Sequence, residues 1–536
     1  MNSIYYNGKI YIERDTFVQA MLVSDGIIQK TGTLEEVSRG LCPNCEKEMI
    51  DLQGRTVVPG FNDSHLHILG VGQALSSVIL NGSTSMADIL QKGRDFLALH
   101  TLAEGDVLIG RGWNQDYFTD EARMPTRYDL DTVSTEVPVI YTRACGHICA
   151  ANSKALELAG ITRDTQPVAG GEIYRDENGE PNGLFSENAQ AQIQKIIPEE
   201  TPEKIAQELT VAMEYAASCG VTSLQTCDIR RDAWRTVNEG YKLLYKNNPN
   251  AVRTYQQSSF GEPVSYQEFL SMGCVTGAGD DMFKYGPLKM FVDGSLGART
   301  AYMRTPYADD PSTRGVPTMT PRQFDEMVKI ADDHNCQVAV HCIGDAAIEM
   351  VLNAYDKVID GKNNKNRHAI IHCQITDKEL VERFADHDVL AQVQPIFIHY
   401  DMNVVADRVG EELASTSYAF GDMYRMGLHT SFGTDSPVED LNPFENLYCA
   451  VTRKRLDGQK TYRPDQAVDI CAAIDQYTIG SAYCSFDEDK KGRIKPGYFA
   501  DFAVLDRDIF TIPSDEIKDV KAVRTVLAGR TIFERN

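Results

Sequence analysis

Two histidines, His65 and His67, stand two residues apart in the stretch GFNDSHLH. A β-strand repeats every two residues, so both imidazoles point to one face and can reach one metal ion. An apolar run broken by Pro59-Gly60 precedes them, and an aspartate, Asp63, lies two residues upstream of His65. Further along, His341 ends the run CQVAVH and His372 ends AIIH, each the polar residue that terminates an apolar segment. Asp435 ends SFGTD in the same way, and a carboxylate there can both bind a metal and accept a proton from water. Taken singly, each of these histidines reads as a surface residue or a cap on a core strand. Their succession argues for a metal site.

Lys289 lies in PLKMFVD, where strand parity puts it on one face with Phe291 and Asp293. A buried ammonium is costly unless it is paired or modified. Spacing alone favours pairing with Asp293. The alternative is reaction with CO2 to give an anionic carbamate, a bridging ligand for two metals.

These residues need strands to hold them. Eight short apolar runs fit: TVVPGFNDSH, GVTSLQT, VRTYQQ, PLKMFVD, CQVAVHC, HAIIHCQ, VLAQVQP and HTSFGTDSP. Amphipathic stretches such as TPRQFDEMVKIADDH and TDKELVERFADH separate them. Eight β–α repeats predict a parallel (β/α)8 TIM-like barrel, whose active sites form at the C-terminal strand ends. The two termini read differently, as short strands and tight turns around Asn7-Gly8 and Asp25-Gly26. The expected organisation is a composite β-sandwich from residues 1–58 and 490–536. A barrel over 59–489 follows, with an inserted subdomain at about 75–210 over its mouth.

The chain has 536 residues, 53 basic and 77 acidic, for a net charge of −24. That balance repels phosphate backbones and anionic lipid, so neither nucleic acid nor membrane is expected as a partner. A small-molecule substrate is expected instead, with homodimerisation left open. No long apolar run and no basic-then-apolar leader is present, which predicts a cytoplasmic enzyme. Thirteen scattered cysteines then read as reduced thiols. Cys42 and Cys45 have metal-ligand spacing, but no second such pair follows to complete a zinc knuckle.

The set His65, His67, Lys289, His341, His372 and Asp435 resembles the ligand set of the amidohydrolase superfamily. The strings PGFNDSHLH, GWNQDYFTDEARMPTRYDLD, RACGHICAANSKALELAG, LKMFVDGSLGART, VHCIGDAA, VQPIF and GTDSPVEDLNPF are similar to its YtcJ-like branch, amidohydrolase family 3, which includes N-substituted formamide deformylase. The resemblance runs from about residue 1 to 530. It implies hydrolysis of a C–N bond in an amide, formamide or cyclic amide by metal-activated hydroxide. In that reading His65, His67, His341 and His372 hold one or two divalent ions. Lys289 is a possible N6-carboxylysine, and Asp435 is ligand and general acid/base. Zinc suits the imidazole-rich set best, with iron or manganese as alternatives.

Arg143, His147, Trp113, Asp293 and Gln394 are the candidate substrate contacts, with Glu187 and Tyr117 as weaker ones. His147 also reads as a cap for the helix near Asn152, and Trp113 as plain core. The chain departs from the family at Ile371, where relatives often carry an acidic residue, and after the second strand, where only Asp228 is kept. Two rival readings stay in play. One is an aminohydrolase, which would want a glutamate soon after His341, where the first is Glu349. The other is a catalytically idle small-molecule-binding relative.

Overall fold

The computed structural model describes residues 2–41, 47–102 and 105–535. Cys42 and Cys45 lie outside the described residues. Eight parallel strands form one sheet in strict chain order: β1 (Phe61–Leu66), β2 (Val221–Arg230), β3 (Arg253–Ser259), β4 (Phe283–Phe291), β5 (Val338–Cys342), β6 (Ala369–His372), β7 (Leu390–Val393) and β8 (Thr430–Phe432). All eight runs read from the sequence contribute a strand. Parallel strands covered by helices are buried on both faces, which is why they read as continuous apolar runs.

The covering helices show their origin in the sequence. Helix Pro321–Asp333 has a capping box between Thr320 and Gln323 and buries Phe324, Met327, Val328 and Ala331, a stripe with helical spacing. Helix Lys378–Asp386 is capped by Asp377 and buries Leu380, Val381 and Phe384 in the same manner.

β8 is only three residues long, and among the described residues no regular ladder joins it to β1. The circle is closed just beyond it instead. The Asp435 amide donates to the His65 carbonyl at 2.8 Å, and the His67 amide donates to the Ser436 carbonyl at 2.7 Å. The two residues that close the seam are therefore neighbours of the candidate chemistry.

The run TVVPGFNDSH is not one strand. Thr56–Pro59 pairs with Phe502–Leu505 and Lys9–Glu13, whereas the barrel strand starts at Phe61. The break falls at Gly60, where a Cβ would meet Thr222 at 2.1 Å, so only glycine lets the chain pass from one sheet to the next.

Residues from both termini build two further sheets. One has four strands, Ile27–Gly32, Ala20–Ser24, Asn2–Tyr6 and Lys47–Asp51. The other has six, Arg530–Glu534, Ala522–Leu527, Phe502–Leu505, Thr56–Pro59, Lys9–Glu13 and Thr16–Val18. Tyr5, Ile10, Met21, Ile28, Val57, Phe502, Val504 and Val526 bury one shared core, with Tyr5 and Phe502 meeting edge to face at 5.0 Å.

Residues Val71–Val211 form a compact unit of their own. Its six-stranded sheet runs Gly171–Arg175, Pro181–Glu187, Ile148–Ala151, Val139–Arg143, Leu108–Trp113, Val78–Ile79. No helix among the described residues is long and apolar enough to cross a membrane.

Candidate metal centre

His65 is the penultimate residue of β1 and His67 follows its end. The Nε2 atoms of both face Asp435 Oδ1, at 3.4 and 3.3 Å. Ligand atoms of His65, His372 and Asp435 all lie within 4.8 Å of one another, and these three residues are buried. The His341 ring lies 4.4 Å from that of His372, centroid to centroid. His372 and Asp435 both have left-handed backbones, at φ of 78° and 57°. Such a conformation is strained for a non-glycine residue, and here it aims two side chains at one point.

Each imidazole is held from behind. The Nδ1–H of His65 donates to Gln257 Oε1 at 2.8 Å, that of His67 to the Cys227 carbonyl at 2.9 Å, and that of His372 to Gln394 Oε1 at 2.8 Å. His341 is turned the other way, with Nε2–H donating to the Gly294 carbonyl at 3.0 Å. The glutamine amides are themselves oriented, donating to the carbonyls of Ser64 and Gln392. A carbonyl only accepts, so the ring nitrogen facing it carries the proton. The opposite nitrogen then has a free lone pair, as a metal ligand requires.

Electrostatics agree with that tautomer. Burial, with help from the Lys289 charge, pushes His65 and His372 well below the ordinary histidine range and His341 down to about 3. These three rings are neutral at physiological pH. For His67 burial also lowers proton affinity, but contact with Asp435 outweighs it and the net shift is upward.

Lys289 is fully buried. Its Nζ has no hydrogen-bond partner among the described residues and lies 4.0 Å from the centre of the Phe291 ring. The expected pairing with Asp293 is not made, because the Asp293 carboxylate accepts from the backbone amides of Tyr302, Ile343 and Gly344. Burial lowers the lysine to about 8.

His372 Nε2 and Asp435 Oδ1 likewise lack hydrogen-bond partners. Buried polar atoms are rarely left so. Nitrogen and oxygen donors gathered in this way suit a divalent metal of the zinc, iron or manganese type.

Gln257 was not foreseen. Two consecutive glutamines in a buried strand were the available signal, since continuous apolar character is the norm there. Asp63 is another anchor: it accepts from the His65 amide, the Thr434 amide and hydroxyl, and the Tyr477 hydroxyl. Asp228 accepts from Thr226 Oγ1, Tyr241 OH and the Leu69 amide, fixing the turn after His67. If the ring hydrogen bonds orient ligands, Gln257→Leu should weaken metal binding by about 10–100-fold with little change in fold. Chelator competition and far-ultraviolet circular dichroism measure the two quantities.

The expected substrate contacts fare differently. Asp293 is spent on backbone amides, and Gln394 stands behind His372 as its hydrogen-bond acceptor. Trp113 is core: it is fully buried among Leu80, Leu108 and Tyr141, with Nε1 donating to the Tyr141 carbonyl. Tyr117 is exposed. Arg143 is not a free guanidinium, since it donates to Gln115, Asn114 and Asp116. His147 is exposed and pairs with Glu187 at 3.1 Å, while Asn152 itself caps the helix Ser153–Ala159. Ile371 packs against Ala339, Ala369, Leu390 and Cys484, so the departure there falls in apolar core.

The sequence matches the amidohydrolase family over residues 48–533. The chain belongs to the amidohydrolase family. Among its relatives, a Bacillus subtilis protein named as the amidohydrolase YtcJ is 33% identical, covering 100% of both chains. The N-substituted formamide deformylase of Arthrobacter pascens is 27% identical over 97% of this chain and 96% of its own. A solved structure described as an uncharacterized metal-dependent hydrolase from Pyrococcus horikoshii superposes with a TM-score of 0.77 at 28% identity, covering 96% of this amidohydrolase and 99% of that chain. At that coverage the likeness takes in most of this amidohydrolase, in agreement with its family.

Proposed function

We propose that the chain hydrolyses a C–N bond in a small neutral amide, formamide or cyclic amide. One observation carries the reading. Among the described residues, Lys289 Nζ, His372 Nε2 and Asp435 Oδ1 are buried without hydrogen-bond partners, beside the rings of His65, His341 and His372, whose proton-bearing nitrogens are turned away. His65, His67, His341, His372 and Asp435 would hold one or two divalent ions, zinc fitting the donor set best. A bound divalent ion lowers the pKa of water to near 7 and polarises a carbonyl.

The chain's own groups do the rest. Asp435 accepts the proton of the attacking water at Oδ1 and returns it to the departing nitrogen, since an amine leaves poorly without one. The imidazoles of His65, His341 and His372 stay unprotonated through the cycle because burial disfavours their charged form. Lys289, with its proton affinity lowered by burial, supplies a neutral amine to CO2, forming an N–C bond and releasing a proton. The resulting carbamate replaces a buried amine that has no hydrogen-bond partner among the described residues with an anion that metal ions would neutralise.

The test is a screen of zinc- and manganese-loaded protein against N-formyl, N-acyl and cyclic amides. Amine or carboxylate release is expected, with Lys289 carrying carboxylate in native mass spectra. Ammonia release from aminated heterocycles would replace this reading with the deaminase one. Glu349, the first glutamate after His341, is paired with Arg304. Protein that purifies and reconstitutes without bound metal would overturn both.

A further inference from the structure

Phe291 is the last residue of β4 and stands two places beyond Lys289 on the same strand face. Lys289 is fully buried, yet Phe291 is 39% exposed. Its backbone is held in place. The Thr318 hydroxyl donates to the Phe291 carbonyl at 2.6 Å, and the Thr318 amide donates to the Val292 carbonyl at 3.0 Å. Lys289 Nζ lies over the ring at 4.0 Å from its centre. The lysine takes up one face, so the open area belongs to the rest of the ring.

Four rings form a row on neighbouring elements. Phe291 on β4 meets His341 on β5 at 5.3 Å between centroids, and His341 meets His372 on β6 at 4.4 Å. His372 in turn stacks with Phe397, just after β7, at 5.9 Å. Phe397 is half-buried, whereas Phe291 is the open end of the row. An uncovered hydrocarbon ring therefore stands directly beside a candidate metal ligand.

Its place in the circle decides which part of a substrate would reach it. The strands run in chain order, so β4 and β5 lie opposite the seam between β8 and β1. Asp435, His65 and His67 stand at that seam, with both rings facing the carboxylate. Asp435 is the group that returns a proton to the departing nitrogen. The nitrogen of a bound amide is thus turned toward the seam, and its acyl substituent toward the far wall, where Phe291 stands. The ring itself decides the chemistry of that substituent. Its face carries partial negative charge and repels an anion. A cation there would sit close to the divalent ions. A neutral, flat hydrocarbon group meets neither penalty and removes the open area from water.

We infer that Phe291 is a specificity-determining residue, packing against an aryl group on the acyl side of the scissile bond. The inference rests on the amide-hydrolase reading and narrows it to amides of aryl-substituted acyl groups.

The test uses three metal-directed probes, titrated calorimetrically into the zinc-loaded full-length protein. Phenylacetohydroxamate carries the aryl group on its acyl side, N-benzylacetohydroxamate carries it on nitrogen, and acetohydroxamate lacks it. Phe291→Ser should weaken phenylacetohydroxamate about tenfold, as loss of an apolar contact of this size warrants. Binding of the other two should change by less than about twofold, with zinc content unaltered. Phe291→Leu, which keeps an apolar wall, should restore part of the affinity. A loss that falls equally on all three probes, or on the N-benzyl probe, overturns the inference. So does phenylacetohydroxamate binding that survives Phe291→Ser, or wild type that binds it no better than acetohydroxamate. Failure of the hydrolase reading looks different: no amide is cleaved while the Phe291-dependent preference persists.

Discussion

Replacing Asp435 by asparagine should lower kcat on an alkyl amide by about 10^3-fold, the scale on which a positioned proton-transfer group acts. The isosteric amide keeps the shape of the side chain and leaves the backbone bonds of the seam at the end of β8 untouched. It cannot accept a proton from water or return one to nitrogen. The second half of that role gives a sharper test than the loss itself. A p-nitrophenyl ester of the same acyl group expels a leaving group that needs no proton. The penalty of Asp435→Asn should therefore shrink to about tenfold on the ester. Equal penalties on both substrates would mean that Asp435 only holds metal, and a variant retaining a tenth of wild-type activity on the amide would remove it from the mechanism. Metal content, measured beside the rates, separates loss of chemistry from loss of the ion.

What could be read from the sequence follows from physical range. The eight barrel strands were legible because each is a buried run closed by a polar residue, and period and length are local properties. His65, His67, His341, His372 and Asp435 were legible for the same reason, each ending such a run. The anchors behind them were not. Gln257 lies on β3 and its acceptor oxygen serves a ring on β1, with β2 between them, so the contact exists only once the sheet has curled. The His147–Glu187 pair depends on the antiparallel register that sets Ile148 opposite Ser186. The split at Gly60 was half legible: Pro59-Gly60 marked a break in the apolar run, but nothing local says that the residues on its two sides join different sheets. Trp113 and Asp293 share a limit: both are polar or amphipathic groups beside a promising motif, and both are engaged by backbone partners that no spacing reveals.

Asp63 brings the fold and the site to one residue. β8 is too short to form a ladder with β1, so the barrel seam depends on what joins their ends. The Asp63 carboxylate, fully buried, takes the Thr434 hydroxyl at 2.7 Å, the Tyr477 hydroxyl at 3.0 Å, and the amides of Thr434 and His65 at 3.1 Å. Every partner is a donor. An asparagine there would turn its NH2 toward at least one of them and leave buried groups unmatched, each worth about 1–3 kcal/mol. Asp63→Asn should thus cost about 3 kcal/mol in denaturant unfolding. Because His65 and Asp435 flank the same seam, its metal affinity should also fall by about 10–100-fold. Tyr477→Phe removes one donor and leaves the rest, so it should cost about 1–2 kcal/mol and spare metal binding. If Asp63→Asn unfolds at the wild-type denaturant midpoint with unaltered metal affinity, closure must come from the two backbone bonds at Asp435 and His67 alone. The candidate ligands would then be positioned by backbone, and the carboxylate would be a passenger in a barrel that closes without it.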